Sequence, residues 1–494
     1  MNSAILRISL ACLALFVLLL INVNYVQAFE TTKLAGESGN VRIFDQQFSY
    51  QRGTILAGNV KIAESYLPKG STFYHRKYPY GKIYAPVTGY DTIYGKTGLE
   101  ETENSLLNGT DPRLAVHNFT ALLTGKQKQG ASVQTTISPV AQTAAYNALA
   151  TGTHGHAAAL VALDPSTGAI LAMASSPTFD PNLLTTMDGP KLNKIDNQLL
   201  RDPAQPLVNR AIQTRYPPGS TFKIVTSSAA FSTGKVANTA TTIPAPSPLR
   251  LPNGNYLHND SNEICGNGNP SIIEAFWLSC NTAFGGLGIR VGAPTLRDYA
   301  SRFGMNSPLS IPLAVTPSVL PEGNGWTDPS LTAFTAIGQY NDAVTPLQEA
   351  MFAATVANHG ALMKPYLVKQ VLGPGLSVIQ TQTPTVLSQA ISRQTAGYLQ
   401  DMMFEVTHNS SGTAAATAGP QATGRITIDG KTGTAQNGAN NPASDAVFTC
   451  FVPGTGSQPS PIAVGVIVQG GGYGAQAAAP LAVAVIKAYL AGHP

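Results

Sequence analysis

The run ISLACLALFVLLLINV after Arg7 constrains this chain more than any other feature, because no charge interrupts it until Glu30. With its flanks, Ile8 to Ala28 is long enough to cross the roughly 30 Å hydrocarbon core of a bilayer as a helix. A cleaved signal peptide is the rival reading, since Val26-Gln27-Ala28 resembles a small-residue cleavage site. The run exceeds the roughly 7 to 15 apolar residues of such a peptide, which favours an uncleaved anchor. Cys12 is set aside as a lipidation site because most of the apolar stretch follows it. Arg7 before the run, with no basic cluster close after it, puts the N-terminus inside and the rest of the chain outside the membrane, with a single pass.

At 494 residues there is chain enough for about three domain-sized units. Charged residues are 11% of the chain, against about 25% in ordinary soluble proteins, while Gly and Pro number 47 and 35. That balance suits a loop-rich extracytoplasmic protein better than a disordered one or a coiled coil. The net charge is only +4 and the Lys and Arg are scattered, so no basic stripe suggests nucleic acid.

From about 30 to 135 the sequence consists of short strand-like pieces broken by turn signals, such as GESGNVRIF, QRGTILAGNVKIA and YAPVTGYDTIY. VQTTISPVAQTAAYNALATG then ends this small mixed region in a helix. At His156 the texture changes: AAALVAL, the turn DPSTG and AILAMAS predict a hairpin of buried strands. Far downstream ITIDGKTGTA, AVFTCFVPG and PIAVGVIVQGG repeat the strand signature, and APLAVAVIKAYLAG closes the chain as an apolar helix ending at Gly492. A mostly helical stretch lies between. The expected architecture is α+β, one antiparallel sheet with the hairpin at an edge and helices covering its faces. The domains are a membrane anchor at 1–29, a non-catalytic N-terminal domain at 30–155 and a catalytic domain at 156–494. His154 and His156 are the only close histidine pair, with no third ligand nearby, and are read as a surface turn rather than a metal site.

Three short patterns carry the chemistry: Ser-x-x-Lys, Ser-x-Asn and Lys-Thr-Gly. Each occurs twice, at Ser220 and Ser232, at Ser38 and Ser279, and at Lys96 and Lys431, so a single match means little. Requiring them in that order leaves Ser279–Asn281 and Lys431–Gly433, with either Ser220 or Ser232 in front. In YPPGSTFKIVTSSAAFSTG a rigid turn, Pro217-Pro218-Gly219, lets Ser220 open an apolar helix at the positive end of its dipole. Lys223 then faces the same side one turn later, pairing a nucleophile with a base. Gly234 separates Ser232 from Lys235 and is a helix terminator, so that copy is structural. Ser279 and Asn281 face one cleft if the backbone there is extended or turning. In the strand around Lys431, Thr432 and Thr434 share one face and Lys431 the other, while Gly433 lets a substrate approach the backbone. The copy at Lys96 precedes the polar run LEETEN and has neither strand nor order.

This triple is the pattern of penicillin-binding proteins and serine β-lactamases. The chain resembles the class B penicillin-binding proteins, and within them most closely the actinobacterial penicillin-binding protein A. RGTILAG, YAPVTGY, DPSTGAILAMASSP, NRAIQTRYPPGSTFK, SCNTAF, GQYNDAVTPLQ and GKTGTAQ carry the likeness. The sequence departs from the pattern at His154 and His156, where a cysteine pair is expected, and at Val447, where Trp is usual. The resemblance implies a peptidoglycan D,D-transpeptidase, active in wall synthesis and cell division and inhibited by β-lactams, that needs no metal and no cofactor. Ser220 would attack the bond between the last two D-alanines of a stem peptide, release D-Ala and pass the acyl group to a neighbouring stem's amine. Lys223 would be the base, lowered in pKa by burial and by Lys431, and Ser279 a proton relay. Asn281 would orient Lys223, and Lys431, Thr432 and Thr434 would receive the substrate carboxylate. The backbone N–H groups of Ser220 and Thr434 would form the oxyanion hole.

Outside the membrane, Cys265 and Cys280 are expected to form a disulfide that fixes the loop before Ser279 and Asn281, the alternative being two free thiols; Cys450 reads as buried packing. The first domain is too short, and lacks an acidic pattern, for glycan polymerisation, which implies a separate membrane glycosyltransferase as partner. A D,D-carboxypeptidase, a β-lactamase, and a non-enzymatic β-lactam sensor or wall-complex scaffold share the triple. The anchor and the first domain argue against a β-lactamase.

Overall fold

Asn2–Tyr25 form α1, a helix of 24 residues, about 36 Å long at 1.5 Å per residue. None of the apolar span Ile5–Tyr25, of mean hydropathy 2.5, is buried, which makes it a candidate membrane span. The computed structural model describes residues 2–30, 47–115, 129–321, 327–436 and 443–492.

In chain order the elements that matter are β1 (Ile55–Ala57), β2 (Val60–Tyr66), β3 (His75–Lys77), β4 (Ser132–Thr135) and α2 (Pro139–Gly152). Next come β5 (Ala158–Leu163), β6 (Ile170–Ser176), α3 (Lys223–Ser232), α4 (Asn281–Val291) and α5 (Pro346–Ala357). They are followed by β7 (Val368–Leu372), β8 (Val378–Thr381), α6 (Arg393–His408), β9 (Asp429–Ala435), β10 (Asp445–Phe451), β11 (Ala463–Val468) and α7 (Ala479–Ala491).

The central sheet runs β9-β10-β11-β5-β6 and is antiparallel throughout, with the β5–β6 hairpin at one edge. Every residue of β5, β10 and β11 is buried. Such strands read as continuous apolar runs, without alternation, because both faces are covered. The cover comes from α5 and from α2 and α7, which pack on each other. Thr345 caps α5, accepting from the Gln348 N–H at 3.2 Å, and Pro346 presets the first turn. All of α5 is buried. The second apolar stretch long enough to span a membrane, Gly474–Ala491, is 44% buried and belongs to this cover.

Two expectations about the first domain need correction. The piece 84–94 is not a strand: Ala85–Thr88 is a short helix with Pro86 in its first turn, where the fixed φ of proline overrides the β preference of its neighbours. The helix expected to close that domain, α2, lies on the central sheet. Its Gln142 side chain donates to Met173 O at 3.0 Å and accepts from Met173 N–H at 2.8 Å. The second sheet runs β8-β7-β4-β1-β2-β3, so residues from beyond 360 complete a sheet begun before 60. The line drawn at 155/156 marks the entry into the central sheet, but packing crosses it on both sides. The piece GESGNVRIF lies outside the described residues, as does the Ser38 pattern. Arg52 of RGTILAG is structural: it and Arg76 each approach the buried Glu100 to 2.6 Å.

Candidate active site

Gly219 has φ +56°, and its N–H donates to Gly338 O at 2.9 Å, pinning the turn that precedes Ser220. A tight helical turn, Gly219–Phe222, then runs into α3. Ser220 is half-buried and Lys223 fully buried. The Lys223 Nζ lies 2.9 Å from Ser220 Oγ, 2.6 Å from Ser279 O and 2.9 Å from Asn281 Oδ1. A neutral amine has two protons and one lone pair. Three close oxygens, one of them a hydroxyl able to donate, match that inventory. Ser232 is the exposed last residue of α3, and Gly234 at φ +70° ends the helix before the exposed Lys235.

The segment between the helix Ile272–Trp277 and α4 brings in the second pattern. Ser279 is left-handed at φ +61°, and the Cys280 N–H reaches back to Ala275 O at 2.8 Å. A non-glycine residue in that region costs about 1 kcal/mol or more and persists only where its surroundings impose it. Here the turn aims Ser279 Oγ and Asn281 Oδ1 at the same lysine. The turn is tied down twice, by the Cys265–Cys280 disulfide and by Thr282 N–H, which donates to Asn259 Oδ1 at 3.0 Å in place of a local cap.

Lys431 on β9 is fully buried, and its Nζ donates to Ser279 Oγ at 2.9 Å. Ser279 Oγ therefore sits between two lysines, 3.3 Å from Lys223 Nζ. Thr434 lines the cleft, but Thr432 is buried, with its Oγ1 2.7 Å from Thr413 Oγ1. At Gly433 a Cβ would lie 2.7 Å from Pro218 O, so its bareness lets the turn before Ser220 pack on β9. The pattern at Lys96 is remote, its ammonium paired with Asp91 at 3.2 Å.

Burial pulls the Lys223 ammonium well below the usual lysine range, Lys431 pushes the same way and Asp260 opposes. Lys431 is brought down to about 7 by burial, again against Asp260. Above them opens a cleft of about 1090 Å³ lined by Ser220, Asp260, Asn281, Thr434 and the exposed tyrosines Tyr256, Tyr340 and Tyr473, among others. Sequence reasoning missed Asp260 and these tyrosines, which have no fixed spacing from the three patterns. His154 and His156 are exposed, and among the described residues no three His, Cys, Asp or Glu side chains form a group able to hold a metal ion. Val447 packs with Tyr216 and Ile467, and Cys450 is buried.

Comparison with known proteins places these features. Residues 158–487 match the family described as the penicillin binding protein transpeptidase domain, and residues 52–133 match the penicillin binding protein A dimerisation domain. The chain is 40% identical to the peptidoglycan D,D-transpeptidase PbpA of Mycolicibacterium smegmatis, with 99% of each chain covered. It is 39% identical to PbpA of Mycobacterium tuberculosis, with both chains covered completely. The crystal structure of PBPA from Mycobacterium tuberculosis superposes with a TM-score of 0.83 at 39% identity, covering 90% of this chain and 100% of that one. Its penicillin G acyl-enzyme complex gives 0.82 at 39% identity, with the same coverage. The chain belongs to the class B penicillin-binding proteins, a family of serine transpeptidases.

Proposed function

We propose that this protein is a peptidoglycan D,D-transpeptidase with Ser220 as nucleophile, and the contacts of Lys223 Nζ carry that reading. Ser220 Oγ attacks the carbonyl carbon of the terminal D-Ala-D-Ala bond as its proton passes to the neutral Lys223 amine. The oxyanion is met by the backbone N–H groups of Ser220 and Thr434; losing one such donor would cost about 3 to 4 kcal/mol. Ser279 Oγ, between the two lysines, hands its proton to the departing nitrogen and takes the one held on Lys223, the C–N bond breaks and D-Ala leaves. An acceptor amine then attacks the Ser220 ester, the new amide forms, and the proton shed by that amine restores the serine hydroxyl. Asn281 orients Lys223, and Lys431 with the half-buried Thr434, which lines the cleft, receives the substrate carboxylate. Thr432 supports them from behind through Thr413.

The candidate span α1 anchors the chain in a single pass, with the sheet outside the cell, and Arg7 on the inner side sets that orientation. The first domain, near 30–155, is a non-catalytic pedestal or dimerisation unit. Nothing in its sequence suits glycan polymerisation, so a separate membrane glycan polymerase supplies the strands. Incubating the protein with donor and acceptor stem peptides tests the reading. A cross-linked product is expected. D-Ala release without cross-linking would mean a D,D-carboxypeptidase, and penicillin binding with neither product would leave a sensor or scaffold.

A further inference from the structure

Glu349 is the one acid in the wholly buried α5, and it lies directly beneath the nucleophile's turn. Its Oε1 is 2.8 Å from Thr221 Oγ1, which is also 2.9 Å from Pro218 O. Thr221 has one hydroxyl proton to give and two oxygens to satisfy. Pro218 O can only accept. Were Glu349 ionised, both neighbours would be acceptors, one of the two short contacts would be repulsive, and a charge would be buried unpaired. Among the described residues the other oxygen, Oε2, has no hydrogen-bond partner, so nothing there compensates a carboxylate. A protonated acid resolves the conflict: Glu349 donates to Thr221, and Thr221 donates to Pro218 O. Pro218 O belongs to the peptide just before Gly219, whose N–H is pinned by Gly338 and whose neighbour is Ser220.

We propose that Glu349 is a positioning residue, held as a neutral carboxylic acid, whose donation through Thr221 to Pro218 O sets the turn that presents Ser220. This rests on the transpeptidase reading and adds to it a proton that must stay in place for acylation. Burial raises the Glu349 carboxyl to about 8, against the hydrogen bond that Thr221 would give its ionised form. The titratable groups of the elements packed on α5 do not contribute to that rise: Arg210 in the short helix before the turn, Asp445 and Cys450 on β10, and Arg393, Tyr398, Asp401, Glu405 and His408 on α6. Neither do Lys223 and Lys431, which titrate on the other side of the turn. Above pH about 8 the relay should therefore fail through Glu349 itself. The folded-state value lies above the unfolded one, so this acid's contribution to stability is fully present below the unfolded value. It is lost as pH rises through the folded value.

The test is the limiting rate at which saturating penicillin acylates the full-length protein, followed by intact mass across pH 6 to 10, in wild type, Glu349→Gln and Thr221→Val. The amide of Glu349→Gln keeps the donor and cannot titrate in this range. Wild type should lose rate in a step centred near pH 8, and Glu349→Gln should match it within about twofold at pH 7 but lack the step. Glu349→Gln should also melt higher than wild type at pH 8, since wild type must hold an acid protonated there. Thr221→Val should acylate about tenfold more slowly at pH 7, the rate equivalent of one misplaced hydrogen bond, and also lack the step. Lys223 and Lys431 titrate in all three proteins, so the difference between profiles isolates Glu349. The same step in Glu349→Gln as in wild type, or a wild-type rate and profile in Thr221→Val, would overturn the proposal. No adduct in wild type at any pH would overturn the transpeptidase reading beneath it, and this proposal with it.

Discussion

Asn281→Asp separates the proposed base from the residue that orients it, because it changes charge without changing shape. In the wild type the Lys223 Nζ meets Asn281 Oδ1 at 2.9 Å. An aspartate keeps that acceptor and adds a negative charge, which favours the ammonium and removes the base. At an effective dielectric of about 20, attraction over this distance is about 6 kcal/mol, an upper limit because the new carboxylate must itself be desolvated. Asp260, whose Oδ1 lies 3.4 Å from Asn281 Nδ2, would repel it and lower the figure further. Shifts seen beside an opposite charge are about one to three units. The rising limb of acylation rate against pH should therefore move up by that amount, each unit removing about tenfold of the neutral amine wherever Lys223 is protonated. The rate should recover at high pH. Asn281→Ala acts in the opposite direction. It removes a hydrogen bond to the charged form, so the limb stays or falls while the rate drops about 5- to 150-fold at every pH. Stopped-flow acylation by a chromogenic β-lactam measures both. An Asn281→Asp protein whose limb does not move, or whose loss persists at high pH, would refute Lys223 as the base.

Three further outcomes are expected. Ser220→Ala should abolish the covalent penicillin adduct while Ser232→Ala, at the exposed end of α3, leaves it intact, as intact-protein mass spectrometry will show. Replacing Cys265 and Cys280 by alanine opens a loop of sequence separation 15 and should cost about 3 kcal/mol, read from the urea midpoint; an unchanged midpoint would refute it. A chain beginning at Phe29 should be soluble and still labelled by penicillin, and equal membrane association of that shortened protein in fractionation would end the single-anchor reading.

The central sheet was legible because its strands are buried on both faces, so AALVAL and AVFTCF have no helical or polar period to confuse them. The partition into domains was less so. The pairing of β4 with β7 joins residues more than two hundred positions apart, and no local pattern announces such a contact. Within 84–94, tyrosine, valine and threonine suggested a strand, and a single proline in a helical first turn decided otherwise.

The site divides along the same line. Ser220 and Lys223 could be paired from sequence because a helix fixes what three residues' separation means. Ser279 and Asn281 could be paired only conditionally, and the condition was met by a left-handed serine that no propensity would select. Asp260 acts on the lysines from a short 3-10 turn, Asp260–Asn262, and left no spacing to read. Glu349 is different, since its sequence PLQEAMFAATVA does carry a signal: a single ionisable residue in an otherwise uncharged helix that turns out to be buried at every position. A buried carboxyl must be paired, protonated or expensive. Among the described residues no cation lowers this one, and its carboxyl meets only the threonine beside Ser220, so protonation is the state that the surrounding packing selects.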